Sequence, residues 1–253
     1  MRYYLGIDIG SIAVKAAVLD ENRQVAEQLY LRVKGEPRKT AETAIEQIRS
    51  RFMISDLFST GSGGKRIGGC FVNEIVALSR AAGELLPEFR TILEMGGEDS
   101  KVLRMEGGKL SDFSTNSVCA AGTGSFLDQQ ASRLGYTIEE FSSLALKAKH
   151  PPRIAGRCTV FAKSDMIHLQ QKGTPDYEII AGLCLAVARN FVGTVGRGKK
   201  FEQPIAFLGG VAASRGMRAA FEAVLQREIH VPENFAFMGA IGAVLHHLKN
   251  GKN

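Results

Sequence analysis

The sequence predicts an α/β protein built from two related lobes, and three observations support that fold class. Two sets of three short strands follow one another along the chain, a glycine turn opens each set, and helices dominate the stretch after the second set. No linker or low-complexity segment separates the two sets. The lobes are therefore expected to be closely packed or hinged, with a cleft between them.

The first set of strands is expected to form an antiparallel meander, because tight turns connect short runs rich in β-branched and aromatic residues. Its strands are predicted at Tyr3–Asp8, Val14–Leu19 and Gln24–Val33. Pro37 is suited to the first turn of a helix, which should run to about Phe52. A second helix is predicted over Val72–Ala82, after a glycine-rich stretch.

The second set repeats this pattern, with strands predicted at Thr91–Met95, Lys101–Met105 and Lys109–Ser114. Helices should follow at Ser125–Leu134, from the Thr137-to-Glu140 capping box, at Val160–Gln171, and at Pro175–Val195 with Thr174 as cap. The chain should close with strands Pro204–Leu208 and Glu228–Val231 and helix Met238–Leu248. The predicted lobes are 1–90 with 236–250, and 91–235.

Composition limits the classes of function. The chain has 253 residues, 45% of them hydrophobic, and no stretch approaches the ~20 apolar residues that a membrane span needs. The N-terminus opens directly into a strand and lacks a secretory signal, so a cytoplasmic location is expected. The net charge of +6 is scattered and tryptophan is absent, so nucleic acid and membrane are not expected partners. An acidic protein partner fits the charge at least as well.

Three glycine turns are candidates for phosphate or nucleotide binding. In the first turn Asp8 ends a buried strand, and Gly10 would allow the backbone to approach a phosphate. Gly96-Gly97 repeats that arrangement in the second half, and Gly209-Gly210 lies between an apolar strand and a helix. Each turn alone could be only a structural hairpin or a tight strand–helix connection. The repetition of the turn in both halves of the chain is stronger evidence for phosphate binding than either turn alone.

Two other glycine-rich segments do not complete a known nucleotide motif. The stretch at 61–66 has Arg66 where a P-loop needs Ser or Thr, and Ser59 where it needs the first glycine. The segment that starts at Gly122 has Leu127 where the last glycine of a dinucleotide fingerprint should stand. The sequence therefore contains neither a P-loop nor a G-x-G-x-x-G fingerprint.

The three turns in this order resemble the two phosphate motifs and the adenosine motif of the actin, Hsp70 and sugar-kinase superfamily. The resemblance implies two ribonuclease H-like lobes with ATP or ADP in the cleft between them, and Mg²⁺ near Asp8 and Asp99. It places the nucleotide against residues of the three turns and of the segment before the third predicted helix: Gly10, Ser11, Lys15, Gly96, Gly97, Gly122, Thr123, Gly209, Gly210 and Val211.

Two of the four cysteines stand in unusual positions. Cys119 and Cys158 precede predicted helices in polar turns, where exposed N–H groups and the helix dipole stabilise a thiolate. Cys70 and Cys184 lie in apolar helical patterns and are predicted to be inert core residues. An iron–sulfur cluster usually needs four thiolates, which a symmetric dimer would supply. A nucleophilic pair or a zinc site stays open, although no histidine is close in sequence.

Segments 116–128 and 158–162 carry the most specific resemblance. They are similar to the activator, or archerase, components of 2-hydroxyacyl-CoA dehydratases and benzoyl-CoA reductases, of the BadF/BadG/BcrA/BcrD type, from Gly6 to Leu245. The resemblance implies that Cys119 and Cys158 bind a [4Fe–4S] cluster across a homodimer. It also implies that ATP hydrolysis drives single electrons from ferredoxin or flavodoxin into a dehydratase, an aryl-CoA reductase or a double-cubane-cluster protein.

Three departures from the family pattern bear on catalysis or on contacts with adenosine. Glu98 stands where the family more often has Gln, Glu94 where it often has Asp, and Ser214 where Asn is common. The resemblance assigns catalytic roles to Asp8, Glu98 and Asp99. Two rival functions stay open: a small-molecule kinase of the same superfamily, with Asp99 as the base, and a non-enzymatic nucleotide-dependent regulator.

Overall fold

The computed structural model describes residues 2–116, 123–156 and 159–250. By backbone contacts the chain divides into two compact units. The first unit comprises Met1–Phe89, Met105–Ser111 and Glu233–Asn253, and the second comprises Arg90–Arg104 and Asp112–Pro232. The predicted domain boundaries, 1–90 with 236–250 and 91–235, stay a prediction.

The first unit contains a five-stranded sheet in the order β3-β2-β1-β4-β5. Its strands are β1 (Tyr3–Ile9), β2 (Ala13–Asp20), β3 (Val25–Arg32), β4 (Ile54–Thr60) and β5 (Cys70–Phe71). Its helices are α1 (Pro37–Arg49), α2 (Glu74–Leu85) and, from the end of the chain, α8 (Met238–Asn250). The first three strands are antiparallel, whereas β4 runs parallel to β1.

Helices cover the first sheet through small or apolar faces. The buried residues of α1 recur at helical spacing, from Ala41 through Ala44 and Ile45 to Ile48, and they pack on the sheet core. On α8, a Cβ at Gly242 would lie 1.8 Å from the Ala77 carbonyl oxygen of α2. Only glycine therefore permits this close approach of two helix backbones.

The second sheet has the order β10-β9-β6-β7-β8 and lies in the second unit, except for the end of β7 and the start of β8, which are grouped with the first unit. Its strands are β6 (Thr91–Met95), β7 (Ser100–Glu106), β8 (Lys109–Asn116), β9 (Ile205–Leu208) and β10 (Ile229–His230). The helices of the second unit are α3 (Gly124–Leu134), α4 (Ile138–Ala145), α5 (Thr159–Gln171), α6 (Asp176–Thr194) and α7 (Arg215–Leu225). The rings of Phe191 and Phe207 each meet Phe221 edge-on at 5.0 Å between centroids, at the centre of this core.

The two sheets have the same topology. In each sheet the first strand pairs antiparallel with the second and parallel with the fourth, and a two-residue fifth strand forms the edge. The predicted α/β class with two related halves is thereby confirmed. No helix among the described residues is both long and apolar enough to cross a membrane.

Most predicted elements are present, and several details are confirmed. The Thr137–Glu140 capping box forms in full, and Gly135 ends α3 in the left-handed conformation at φ 78°. Two predictions are wrong. Thr174 does not cap α6, because its N–H donates to the Leu169 carbonyl at the end of α5 and Pro175 takes the cap position. Cys70 is exposed in edge strand β5 and is neither helical nor core.

Candidate functional site

The first glycine turn joins β1 to β2 and places an acid opposite a lysine. Asp8 and Lys15 are register partners across the two strands, and Lys15 Nζ lies 3.3 Å from Asp8 Oδ2. Both side chains are 14% exposed. The Gly10 N–H donates to the Ala13 carbonyl at 3.1 Å and closes the turn. The hairpin thus holds one carboxylate and one ammonium group beside its turn.

The second glycine turn joins β6 to β7 in the same way. Glu94 and Lys101 are register partners, and the Gly96 N–H donates to the Asp99 carbonyl at 2.9 Å. Lys101 Nζ lies 3.0 Å from Glu94 Oε2 and 2.8 Å from Asp99 Oδ2, and its side chain is only 4% exposed. Glu98 is exposed at the tip of the turn.

Register matching identifies the equivalent residues of the two hairpins. Asp8 and Glu94 occupy the same position, seven residues before a paired lysine in each case. Asp99 instead corresponds to Ala13 of the first hairpin. The acid–lysine pair is therefore the repeated element, and Lys101, which sequence analysis did not select, is part of it.

A glycine at the end of the adjacent parallel strand faces each acid. Gly61 follows β4 at φ +84°, and a Cβ there would lie 2.4 Å from Asp8 Oδ1. Gly209 follows β9 at φ +87°, and a Cβ there would lie 2.8 Å from Glu94 Oε1. Both positions require glycine for backbone conformation and for space. Sequence analysis identified Gly209 but excluded the Gly61 segment, because that segment does not form a P-loop and β4 was not recognised.

The start of α8 also contacts the first hairpin. A Cβ at Gly239, in the first turn of this helix, would lie 3.3 Å from both Cγ and Oδ2 of Asp8. The first turn of a helix carries free N–H groups and a partial positive charge, which favour a nearby carboxylate or another anion. Gly239 is a second site residue that sequence analysis missed, because it looks like an ordinary small residue in an apolar helix.

The start of α3 is tied to the second glycine turn. The N–H groups of Gly124 and Ser125 donate to the carbonyls of Gly96 and Gly97, at 3.0 Å and 2.9 Å. A Cβ at Gly124 would lie 2.7 Å from Cγ2 of Val211, in the 3₁₀ turn that follows Gly209. The predicted residues Gly96, Gly97, Thr123, Gly209, Gly210 and Val211 therefore lie within one connected region of the second unit.

The cysteine predictions divide by whether the structure describes the residue. Cys119 and Cys158, with Gly122, lie outside the described residues. Cys184 is buried on α6, and burial raises the pKa of its thiol to about 12, as predicted for an inert core residue. Cys70, by contrast, is exposed on β5.

Each hairpin could bind phosphate together with a divalent cation. The turn presents backbone N–H groups, the lysine supplies a positive charge, and the carboxylate can face Mg²⁺. Among residues 2–116, 123–156 and 159–250, no three His, Cys, Asp or Glu side chains cluster closely enough to hold a metal. Such a site suits Mg²⁺ bound to a nucleotide, since that ion commonly takes one or two carboxylates and completes its shell with phosphate and water.

Known proteins are similar to this chain over almost its whole length. The profile of the BadF/BadG/BcrA/BcrD ATPase family matches residues 5–246. The (R)-2-hydroxyglutaryl-CoA dehydratase activating ATPase of Acidaminococcus fermentans is 32% identical over 254 residues, covering 98% of this chain and 97% of the relative.

Two solved structures match along the whole chain. The crystal structure of component A of that Acidaminococcus fermentans dehydratase superposes with a TM-score of 0.90 at 30% identity, covering 100% of both chains. The activator of 2-hydroxyisocaproyl-CoA dehydratase from Clostridium difficile, with bound ADPNP, superposes with a TM-score of 0.89 at 30% identity, covering 99% of this chain and 96% of that one.

Proposed function

The chain belongs to the BadF/BadG/BcrA/BcrD ATPase family, and from that premise we propose that it is an ATP-driven electron-transfer activator. It binds ATP with Mg²⁺, hydrolyses it, and uses the free energy to deliver low-potential single electrons to a partner iron–sulfur enzyme. The proposal that the chain binds a nucleotide rests on one observation, the pair of register-matched acid–lysine hairpins. A glycine at the end of the adjacent parallel strand faces the acid of each hairpin.

The residues of the hairpins have distinct roles in this proposal. In the first unit Asp8 would face hydrated Mg²⁺, with Lys15 holding its carboxylate, and in the second unit Asp99 would do so with Lys101. Each lysine would also offset phosphate charge. The peptide N–H groups of Ser11 and Gly97 bind phosphate oxygens, whereas those of Gly10 and Gly96 close the two turns. Gly209, Gly210 and Val211 form the surface on which adenosine lies, because a glycine backbone permits close approach of a flat base.

Glu98 is the proposed residue for positioning the attacking water. It is exposed at the tip of the second turn, next to Asp99 and clear of the Lys101 ion pairs. A carboxylate at this place adds repulsion toward the γ-phosphate that the amide common in the family would not. Replacement of Glu98 by Gln should therefore raise the rate of ATP hydrolysis if positioning of the water is its only role.

The proposed cluster ligands are Cys119 and Cys158 from each of two chains. Among the described residues, α3 begins five residues after Cys119 and α5 begins directly after Cys158. Helix N-termini favour thiolates and other anions, so the start of α5, directly after Cys158, fits an anionic centre shared by a homodimer. When bound, a [4Fe–4S] cluster supplies reversible one-electron transfer.

Helix α3 gives a physical route for coupling within the second unit. Its first two N–H groups are bonded to the carbonyls of the Gly96-Gly97 turn, and the segment before it contains Cys119. A displacement of this turn upon loss of the γ-phosphate would therefore shift the start of α3. ATP hydrolysis and the environment of Cys119 are thereby linked through one helix.

The partner and the donor are proposed by chemical class. The partner is a 2-hydroxyacyl-CoA dehydratase, an aryl-CoA reductase or a double-cubane-cluster protein, and the donor is reduced ferredoxin or flavodoxin. The named function of the Acidaminococcus fermentans relative supports the dehydratase class. The kinase alternative requires Asp99 as a base, yet the Asp99 carboxylate is engaged by Lys101 at 2.8 Å.

Iron and sulfide analysis of anaerobically purified protein tests this proposal. We expect about four irons per dimer, the content of one [4Fe–4S] cluster. Absence of iron and sulfide in protein that still binds ATP would contradict the activator function and favour the kinase or the non-enzymatic regulator. Dimer mass measured on the same sample shows whether the iron belongs to a shared site.

A further inference from the structure

A basic segment lies between α4 and α5. We define it by its exposed cationic or titratable residues, Lys147, Lys149, His150 and Arg153. No helix or strand includes residues 147–156. Among the described residues, none of these four side chains has an ion-pair partner. The segment therefore presents exposed cationic side chains that are not ion-paired to described residues.

Two carboxylates hold the backbone of the basic segment in place. The Glu178 carboxylate on α6 accepts hydrogen bonds from the N–H groups of Lys149 and His150, both at 2.9 Å, and this residue is only 8% exposed. The Asp165 carboxylate on α5 accepts from the Ala155 N–H at 2.8 Å. Both carboxylates are thus bonded to the backbone, so they fix the loop while leaving its cationic side chains free to bind another molecule.

A third contact brings like charges together. Arg189 on α6 donates from Nη2 to the Ile154 carbonyl at 3.2 Å. Burial, and then the charge of Arg153, hold the pKa of Arg189 below its usual range. An anionic surface bound beside these two cations would offset their repulsion.

Exposed apolar side chains lie at both ends of the segment. Leu146 precedes it and is 43% exposed, and Phe161 on α5 follows it and is 65% exposed. Protein–protein interfaces commonly combine aromatic or aliphatic anchors with a charged rim. Nucleic-acid surfaces instead use aromatic side chains interleaved with the basic residues, and within the basic segment no aromatic side chain other than His150 occurs.

We propose that the basic segment is the docking surface for the acidic face of the protein that receives the electron. This inference rests on the function proposed above. Ala155 is three residues from Cys158, a span of at most about 11 Å of chain, so the anchored end of the segment lies near the proposed cluster ligand. A positive surface there would bring an acidic partner to the point where the electron leaves and accelerate association at low salt.

Binding of a short poly-L-glutamate peptide, followed by fluorescence anisotropy, tests the charge complementarity. Reversal of Lys149 and Arg153 to Glu should weaken binding about tenfold at low salt and flatten its salt dependence. The matched control reverses two exposed lysines elsewhere, Lys109 and Lys172, with the same change of net charge. Equal loss in both double variants, or no loss in the first, would overturn the proposal.

Two further measurements locate the surface. Carbodiimide coupling of the peptide's carboxylates to lysine amines should join it to Lys147 and Lys149 before Lys109 and Lys172. Glu178→Gln should accelerate hydrogen exchange at the Lys149 and His150 amides and weaken peptide binding while both cations remain. Coupling spread evenly over the surface lysines, or exchange unaltered by Glu178→Gln, would contradict the anchored docking surface.

A single-stranded DNA oligonucleotide serves as the competing probe. Preference for this oligonucleotide over poly-L-glutamate at physiological salt would overturn the proposal in favour of nucleic-acid binding, because DNA would then be the favoured polyanion. None of these measurements requires bound iron or ATP hydrolysis. A negative result here therefore leaves the iron analysis untouched, and a protein without iron leaves the peptide result interpretable.

Discussion

Substitution of Gly61 by alanine should disable the nucleotide site through Asp8. Gly61 adopts φ +84°, and a Cβ there would lie 2.4 Å from Asp8 Oδ1. An ordinary van der Waals contact begins at 3.4 Å. The carboxylate must therefore move by about 1 Å, and a misplacement of this size at a catalytic group can lower the rate about 100-fold.

Gly35→Ala provides the matched control. Gly35 has the same φ of +84°, but no atom lies within 4 Å of its Cβ position. Both variants carry the cost of a left-handed alanine, about 1–2 kcal/mol. Only Gly61→Ala adds a clash with Asp8 Oδ1 and with the Ile9 backbone, whose carbonyl oxygen and nitrogen would lie 2.7 Å and 2.8 Å from the new Cβ. The difference between the two variants therefore measures these contacts together, at Asp8 and at the residue that follows it.

Urea unfolding and Mg²⁺-dependent ATP hydrolysis should be measured on both variants. We expect Gly35→Ala to lower the free energy of unfolding by about 1 kcal/mol and to keep the parent rate of hydrolysis. Gly61→Ala should lose more stability and roughly 100-fold of the rate. Parent-like hydrolysis by folded Gly61→Ala protein would refute the reasoning that Asp8 must occupy its observed position.

Three further predictions concern Asp8, a histidine and the thiols. Asp8→Ala should lower Mg²⁺-dependent hydrolysis roughly 100-fold without changing visible absorption, and unchanged turnover would mean that the first turn is only structural. Burial and then His246 lower the pKa of His247, which stacks on Phe58 at 4.6 Å. The unfolded chain therefore protonates first as pH falls through about 6.5, so acid should cost stability, and His247→Phe should flatten that loss in urea titrations at two pH values. In native protein a thiol reagent should modify Cys70 and spare Cys184, whose pKa burial raises to about 12, and the reverse order would contradict these exposures.

The sequence was sufficient to predict the repeated strands because their turns carry strong local signals. Gly107-Gly108, for example, supplies the two positive φ angles of the hairpin between β7 and β8. Strand β4 was missed because most of its residues are polar, and two of its three buried residues, Ser59 and Thr60, carry hydroxyl groups that do not look like core positions. Cys70 was misassigned because β5 is only two residues long, which is too short to show a strand pattern, and because its partner strand β4 had not been predicted.

The acid–lysine pairing of the site depends on strand register, which local sequence patterns do not determine. Asp8 and Lys15 were both selected, whereas Lys101 was missed because nothing local shows that it lies opposite Glu94. The roles of Gly61 and Gly239 depend on a parallel neighbour and on the last helix of the chain. Such contacts join residues far apart in sequence, so local patterns cannot reveal them.

Visible absorption of four cysteine variants, purified without oxygen, tests the central claim most directly. Cys119→Ser and Cys158→Ser should each lose the thiolate-to-iron absorption and the bound iron, because each removes two of the four proposed ligands in a dimer. Cys70→Ser and Cys184→Ser should retain both, since one thiol is on an edge strand and the other is buried in α6. A normal iron–sulfur spectrum in the Cys158→Ser protein would contradict the account.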